Sequence, residues 1–395
     1  MARHRTVERT APPRVSVTDM DLLSRLDGYR FPAMSASIPG ILGARYAAIV
    51  LVEDDYLWFR SRVGFTEPAT SRAGSLWDLA MAGDEPFVVE DLAADARFGA
   101  PVEVGGSPVR FFASCALRAA DGRRIGVLCV ADPEPLAFDS GKVNTLAGFV
   151  TWIQMELVAI ADVDRAADVQ RALLPKDPPP LEGYEVAGAC VAAKGVAGDF
   201  YDWYPIEGGA AFTLADVMGK GLGAGIIAAT IRATIRSAMR KRKVATGIQR
   251  AADVLRYDLR DSGTFVTLFH ARLRAADGRL TFVDAGHGLS IIVEAEGTAY
   301  RLATEDFPVG AAFEGYGWTP ERVMLSEGAT LVSFSDGVLD LYDGSLESIE
   351  RVAEIVRRSA TAQDVVDEIA RLARRDEAPD DVTVFAVRRN GGMNE

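Results

Sequence analysis

Apolar residues fall into two kinds of pattern along this chain, and each predicts a different element. Short unbroken runs predict buried strands, as in Tyr46-Ala-Ala-Ile-Val-Leu-Val and Phe87-Val-Val-Glu-Asp. Phe111 to Val130 reads as a hairpin turning at Asp121-Gly122, a dipeptide suited to the positive φ of a tight turn. A helix-like stretch precedes these strands at Met20 to Leu26. From about Ser140 the period changes. Leu146, Val150, Ile153, Leu157 and Ile160 recur at 4-3-4-3 spacing, a heptad seam. The stripe degrades at Asp164 and Arg171, and Pro175 with Pro178-Pro-Pro stops the helix. An amphipathic helix lying on its own domain has the same spacing. Because the seam runs on toward the second half of the chain, we expect a dimeric coiled-coil linker over residues 143–175.

In the second half, Leu222 to Met239 reads as a Gly/Ala-rich helix. Gly263-Thr-Phe-Val-Thr-Leu-Phe should pair with Leu280-Thr-Phe-Val-Asp through Asp277-Gly278. Leu331-Val-Ser-Phe is a strand feeding Asp336, and Thr361-x-x-Asp364 is a capping-box signal opening a helix from Gln363 to Arg374. The stretch Leu-Arg-Ala-Ala-Asp-Gly-Arg occurs at both Leu117 and Leu273, which we read as two similar turns and not as a repeat. Strands grouped together with helices outside them predict an α+β sandwich.

A length of 395 residues favours two or three domains over one core, and 49% hydrophobic residues suffices for ordinary soluble cores. No apolar run reaches the ~18 residues of a membrane span. The first 16 residues lack an apolar signal core and read as a short basic disordered tail. The net charge of −13 argues against nucleic-acid binding. The basic cluster Arg240-Lys241-Arg242-Lys243 fits a helix C-terminus. Cys115, Cys129 and Cys190 lie in strand-like runs, as buried free thiols of a reducing cytoplasm do.

Four aspartates stand where acidic side chains are costly. They are Asp199 in Val-Ala-Gly-Asp-Phe-Tyr-Asp, Asp216 in Leu-Ala-Asp-Val-Met-Gly-Lys-Gly, Asp336 in Val-Ser-Phe-Ser-Asp-Gly-Val and Asp380 in Pro-Asp-Asp-Val-Thr-Val-Phe. Any one alone reads as a turn residue. As a set at strand ends they are hard oxygen ligands for Mg²⁺ or Mn²⁺, and the lack of neighbouring His or Cys disfavours zinc. That chemistry points to metal-assisted reaction at a phosphate.

The segments Gly-Asp-Phe-Tyr-Asp, Ala-Asp-Val-x-Gly-Lys-Gly, Phe-Val-Thr-Leu-Phe, Ala-Gly-His, Ser-Asp-Gly-Val and Asp-Asp-Val-Thr occur in that order. The series resembles the SpoIIE/RsbU family of metal-dependent (PPM-type) serine/threonine protein phosphatases over roughly residues 165–390. The resemblance implies a two-sheet, helix-flanked domain over residues 178–390 and two Mn²⁺ or Mg²⁺ ions. By the same resemblance, Asp216 bridges the metals and the Val217 carbonyl completes one site. Asp199 holds the second metal directly or through water, and Asp336 and Asp380 ligate the first. Asp381 falls where relatives often carry Asn, which puts it behind the ligands. Lys194 is either a phosphate contact or a solvated strand-edge lysine. His287 is expected to be a structural hydrogen-bonder, Asp202 to cap its turn in preference to orienting metal-bound water, and His270 has no assigned role. Ala197 replaces a glycine usual in the family, which would weaken metal binding if a positive φ were needed there.

Glu90-Asp91-Leu92, Asp95-Ala-Arg-Phe98, Val109-Arg-Phe-Phe and the hairpin ending in Leu128-Cys-Val-Ala-Asp132 resemble a GAF domain, placed over residues 17–160. Such domains sense small ligands or dimerise; Cys115 and Cys129 fit core thiols better than a bilin attachment. The resulting expectation is a cytoplasmic, homodimeric phosphatase, regulated by its GAF domain. Its substrate would be a phosphorylated anti-sigma-factor antagonist in a partner-switching pathway. The alternative is a catalytically weak phosphatase-fold scaffold that binds regulatory partners. A GAF-controlled nucleotide cyclase fails on motif order.

Overall fold

The computed structural model describes residues 31–391 except 54–55, 72–75, 84, 99–101, 120, 240–241 and 377. The expected tail, the Met20–Leu26 helix and Arg240-Lys241 lie outside the described residues. The chain divides into two compact units between Asp162 and Val163.

The first unit contains α1 (Phe31–Leu42), β1 (Tyr46–Glu53), β2 (Tyr56–Val63), β3 (Ala69–Ser71), α2 (Leu76–Ala80), β4 (Phe87–Val89), β5 (Val102–Val104), β6 (Ser107–Val109), β7 (Phe111–Arg118), β8 (Arg124–Asp132) and the start of α3 (Ser140–Leu173). Six strands form one antiparallel sheet in the order β3-β2-β1-β8-β7-β4. Both faces are covered, which is why β1 is apolar from Tyr46 to Val52 and does not alternate with polar residues. Ala47, Ile49 and Leu51 face the helix side with Phe111, Leu128 and Val130. Ala48, Val50 and Val52 face Phe59, Trp77, Phe112 and Cys129. The β7–β8 hairpin turns at Gly122, which adopts φ +82° as its dipeptide predicts. Burial pushes the Cys115 and Cys129 thiols up to about 11 and 12.

The heptad seam is corrected here. Leu146, Val150, Ile153 and Leu157 are buried in the core of the first unit, with Ile160 packed beside them. The spacing therefore belongs to an amphipathic helix on its own domain. A coiled-coil stripe and a sheet-packing stripe present the same positions, and the sheet is the nearer apolar surface. The α3 helix is 34 residues long and runs on into the second unit. By length and composition alone it could cross a membrane; its buried stripe packs against the sheet instead.

The second unit continues with β9 (Tyr184–Val191), β10 (Phe200–Ile206), β11 (Gly209–Val217), α4 (Leu222–Met239), α5 (Val244–Ser262), β12 (Val266–Arg274), β13 (Arg279–Ala285), β14 (Ser290–Val293), β15 (Ala299–Arg301), β16 (Glu321–Met324), β17 (Thr330–Phe334), α6 (Ile349–Arg358), α7 (Ala362–Arg375) and β18 (Val382–Arg389). Two five-stranded antiparallel sheets, β10-β11-β12-β13-β16 and β15-β14-β17-β18-β9, share a core of Phe212, Leu214, Phe269, Phe282, Leu331 and Phe385. Ile231, Ile235, Ile248 and Leu255 seal α4 and α5 over the first sheet. Val352, Val356, Val365 and Ile369 seal α6 and α7 over the second. The protein is α+β, with a helix-flanked β-sandwich as its second unit. The capping box forms: Thr361 Oγ1 accepts from the Asp364 amide at 3.1 Å, and Asp364 Oδ2 accepts from the Thr361 amide at 2.9 Å.

Candidate active site

Strand register gathers the aspartates. Phe200 pairs with Ala215, so Asp199, one step before β10, lies across from Asp216 near the end of β11. Phe334 pairs with Val384 in the other sheet. Asp336 just after β17 and Asp380 just before β18 therefore meet at the same end of the sandwich. Glycines permit the close approach. A Cβ on Gly337 would stand 2.2 Å from the Asp381 carbonyl oxygen. Gly219, in the turn after β11, adopts φ +110°, a conformation natural only to glycine.

Asp199 is 3% exposed, and its Oδ2 has no hydrogen-bond partner. Burial, then repulsion from Asp216, holds its carboxyl well above the usual range. Asp216 is raised by burial and then by Asp336; Asp336 is raised by burial and then by Asp380. Each carboxylate thus destabilises the next, the arrangement that a bound cation relieves. The donor set is all oxygen, and one buried oxygen is unclaimed, so the residues fit Mg²⁺ or Mn²⁺. Among the described residues no three such side chains already converge as a finished cage.

Asp381 is buried and accepts from the amides of Ala193 at 2.8 Å and Gly198 at 2.6 Å. It ties the loop before Asp199 to the start of β18. Ser335 joins the same corner, accepting from the Thr383 amide at 2.9 Å and donating to the Asp381 carbonyl at 3.1 Å.

The remaining polar residues fall as follows. Lys194 is exposed in a turn. The lysine placed among the aspartates is Lys220, whose Nζ is 2.8 Å from Asp380 and donates to the Pro379 carbonyl at 3.1 Å. Its signal, Gly219-Lys220-Gly221 following Asp216-Val-Met, was present in the motif. Asp202 neither caps a turn nor faces the cluster; it is buried and paired with Arg232 at 3.3 Å and Arg236 at 2.7 Å. His287 is a structural hydrogen-bonder, with its amide donating to Asp284 and its Nε2 3.2 Å from Ser333 Oγ. His270 is buried, with Nδ1 2.8 Å from Thr213 Oγ1, and burial lowers its pKa to about 3. Ala197 does not need positive φ; among the described non-glycine residues only Ser61 has one. Its peptide is held at both ends by Gln170 of α3, which accepts from its N–H at 2.9 Å and donates to its carbonyl at 2.6 Å. That contact has no sequence signal.

Family models match two parts of the chain: residues 206–390 match Stage II sporulation protein E (SpoIIE), and residues 31–157 match the GAF domain. The chain joins a GAF domain to a SpoIIE-family phosphatase domain. That second domain is a PPM-type serine/threonine phosphatase. Over 249 residues the chain is 26% identical to the phosphoserine phosphatase RsbU of Bacillus subtilis, covering 60% of this chain and 72% of that protein. It is 24% identical over 264 residues to protein IcfG of Synechocystis, covering 58% of this chain and 42% of the relative. The solved SiaA-PP2C domain of Pseudomonas aeruginosa aligns at 20% identity and a TM-score of 0.49, over 58% of this chain and 96% of that one.

Proposed function

We propose that the SpoIIE-type domain hydrolyses a phosphoserine or phosphothreonine on a phosphorylated anti-sigma-factor antagonist, with two Mn²⁺ or Mg²⁺ ions. The observation that carries this is the mutually repelling carboxylate cluster around the unpartnered, buried Asp199 oxygen. Asp216 would be the ligand shared by both ions and the Val217 carbonyl would complete one site, with Asp199 holding the second ion and Asp336 and Asp380 the first. When bound, such a pair supplies hydroxide at neutral pH and offsets phosphate charge. The protein's part is to hold the ligands: Asp381 fixes the Gly198 amide, and Lys220 neutralises Asp380. Retention of all four carboxylates favours the enzyme over the weak-scaffold alternative, and the Ala197 backbone needs no glycine.

The B. subtilis relative, named a phosphoserine phosphatase, supports the substrate class. We further propose a cytoplasmic location and regulation by the GAF domain, through a small ligand or through homodimerisation. A second copy would cover Trp152, Met155 and Val158, which α3 leaves exposed.

Hydrolysis of a generic aryl phosphate should require Mn²⁺ or Mg²⁺ and stop in EDTA. Asp216→Ala should lower it by several orders of magnitude, with an unchanged circular dichroism spectrum. Full activity in chelator, with no metal detected on the protein, would refute the reading.

A further inference from the structure

A basic groove lies at the far end of the phosphatase domain from the aspartates. Helix α4 begins beside the Asp216 turn and ends at Met239; β10 begins beside Asp199 and ends at Ile206. Between those far ends is a cavity of 1330 Å³ lined by Arg232, Arg236, Arg242, Lys243 and Arg272. A second cavity of 390 Å³ shares Lys243 and Arg272 and adds Arg274, Arg279 and Arg322. Among the described residues Glu207 is the one acidic residue lining either cavity. In a chain of net charge −13, eight cations around one acid form a local reversal of sign.

Internal pairing consumes only part of this charge. Asp202 beneath the groove engages Arg232 and Arg236, and Asp277 engages Arg274. Arg242 and Arg272 reach the Ala238 and Met239 carbonyls with one nitrogen each. Arg232 Nε, Arg272 Nε and Tyr204 Oη are buried without any partner, a cost that native structures rarely leave uncompensated. The N-terminus of α5 opens onto the same place. Val244, Ala245 and Thr246 of its first turn line the smaller cavity. Its N-cap, Lys243, provides no side-chain cap, and no acidic residue sits in the first turn. The free N–H groups and the dipole of this 19-residue helix favour an anion. Guanidinium forks and helix N-termini together suit phosphate oxygens. Ile206, Met239 and the Tyr204 ring, with Arg236 5.4 Å from its centroid, form an apolar wall beside them. The volume exceeds what a bare phosphate would fill.

We propose that this groove binds a nucleoside polyphosphate, with the phosphates toward Lys243, Arg272 and the α5 N-terminus and the base toward Tyr204 and Met239. Helix α4 links the groove to the Asp216 turn, so occupancy has a direct mechanical route to the catalytic end.

The test is calorimetric titration of the full chain with ATP in EDTA, which keeps metal-dependent phosphate binding at the aspartates out of the signal. One site per chain is expected, with tripolyphosphate binding several-fold more weakly. Lys243→Glu and Arg242→Glu should each weaken ATP binding at least tenfold, and Asp216→Asn should leave it unchanged. Lys243 is exposed and Arg242 half-buried, and a melting curve for each variant confirms folding. Binding only at millimolar ATP, or equal affinity in Lys243→Glu, would overturn the site. Equal affinity for tripolyphosphate would overturn the nucleoside assignment. Tighter binding of poly-glutamate than of ATP would assign the groove to an acidic protein partner and overturn the proposal.

Discussion

Asp381 accepts the amides of Ala193 and Gly198 with its two carboxylate oxygens, so an Asn there must turn its NH₂ group toward one of those N–H donors. A buried amide left without an acceptor costs about 1–3 kcal/mol. Asp380 is more exposed, and it faces Lys220, so its replacement costs the fold little. Asp381→Asn should therefore lower unfolding stability in urea by about 1–3 kcal/mol and keep measurable activity. Asp380→Asn should leave stability within about 0.5 kcal/mol and lose most activity through metal affinity. The opposite ranking in the two assays would show that Asp381 is the ligand. At this scale the four aspartates were legible because each ends or begins a strand within a recognisable ordered motif. Lys220 on Asp380 and Arg236 on Asp202 were not. Those partners lie 160 and 34 positions apart, on different elements, and no periodicity links them.

The end of α3, the loop before β10 and α4 meet closely at Gly225, where a Cβ would stand 2.2 Å from Val196 and 3.4 Å from Gln170. Gln170 spans the Ala197 peptide there with one donor and one acceptor, two residues from Asp199. Cutting its side chain leaves a buried N–H and C=O unpaired and frees the loop that positions Asp199. Gln170→Ala should raise the Mn²⁺ concentration for half-maximal activity about tenfold, the effect of ~1.4 kcal/mol, with the sandwich still folded. Gln170→Glu keeps the acceptor and should fall between. An unchanged metal requirement in both variants would make Gln170 a packing residue only. The helix carrying Gln170 was legible as a helix from its stripe, but not what the stripe touches. Leu146 and Leu157 would occupy the same positions in a coiled coil as they do on the first unit's sheet. A pattern specifies a face, while its partner depends on which apolar surface lies within reach.

Two units, each with its own hydrophobic core, share one helix, and the last turns of that helix belong to the phosphatase unit. If the GAF domain regulates the phosphatase as proposed, the shared helix offers one route, displacement of the segment that carries Gln170. This predicts how truncation should act. A chain starting at Val163 keeps the Gln170 grip and should hydrolyse an aryl phosphate with a Mn²⁺ requirement of its own, no longer responsive to anything bound at the GAF domain. A chain starting at Leu174 keeps both sheets, all four aspartates and α4, and lacks only the helix turns that hold Ala197. It should need at least tenfold more Mn²⁺ for half-maximal activity while melting as a single cooperative unit. Identical metal dependence in the two truncated chains would mean that α3 merely tethers the units. Coupling would then have to pass through contacts other than the Gln170–Ala197 pair.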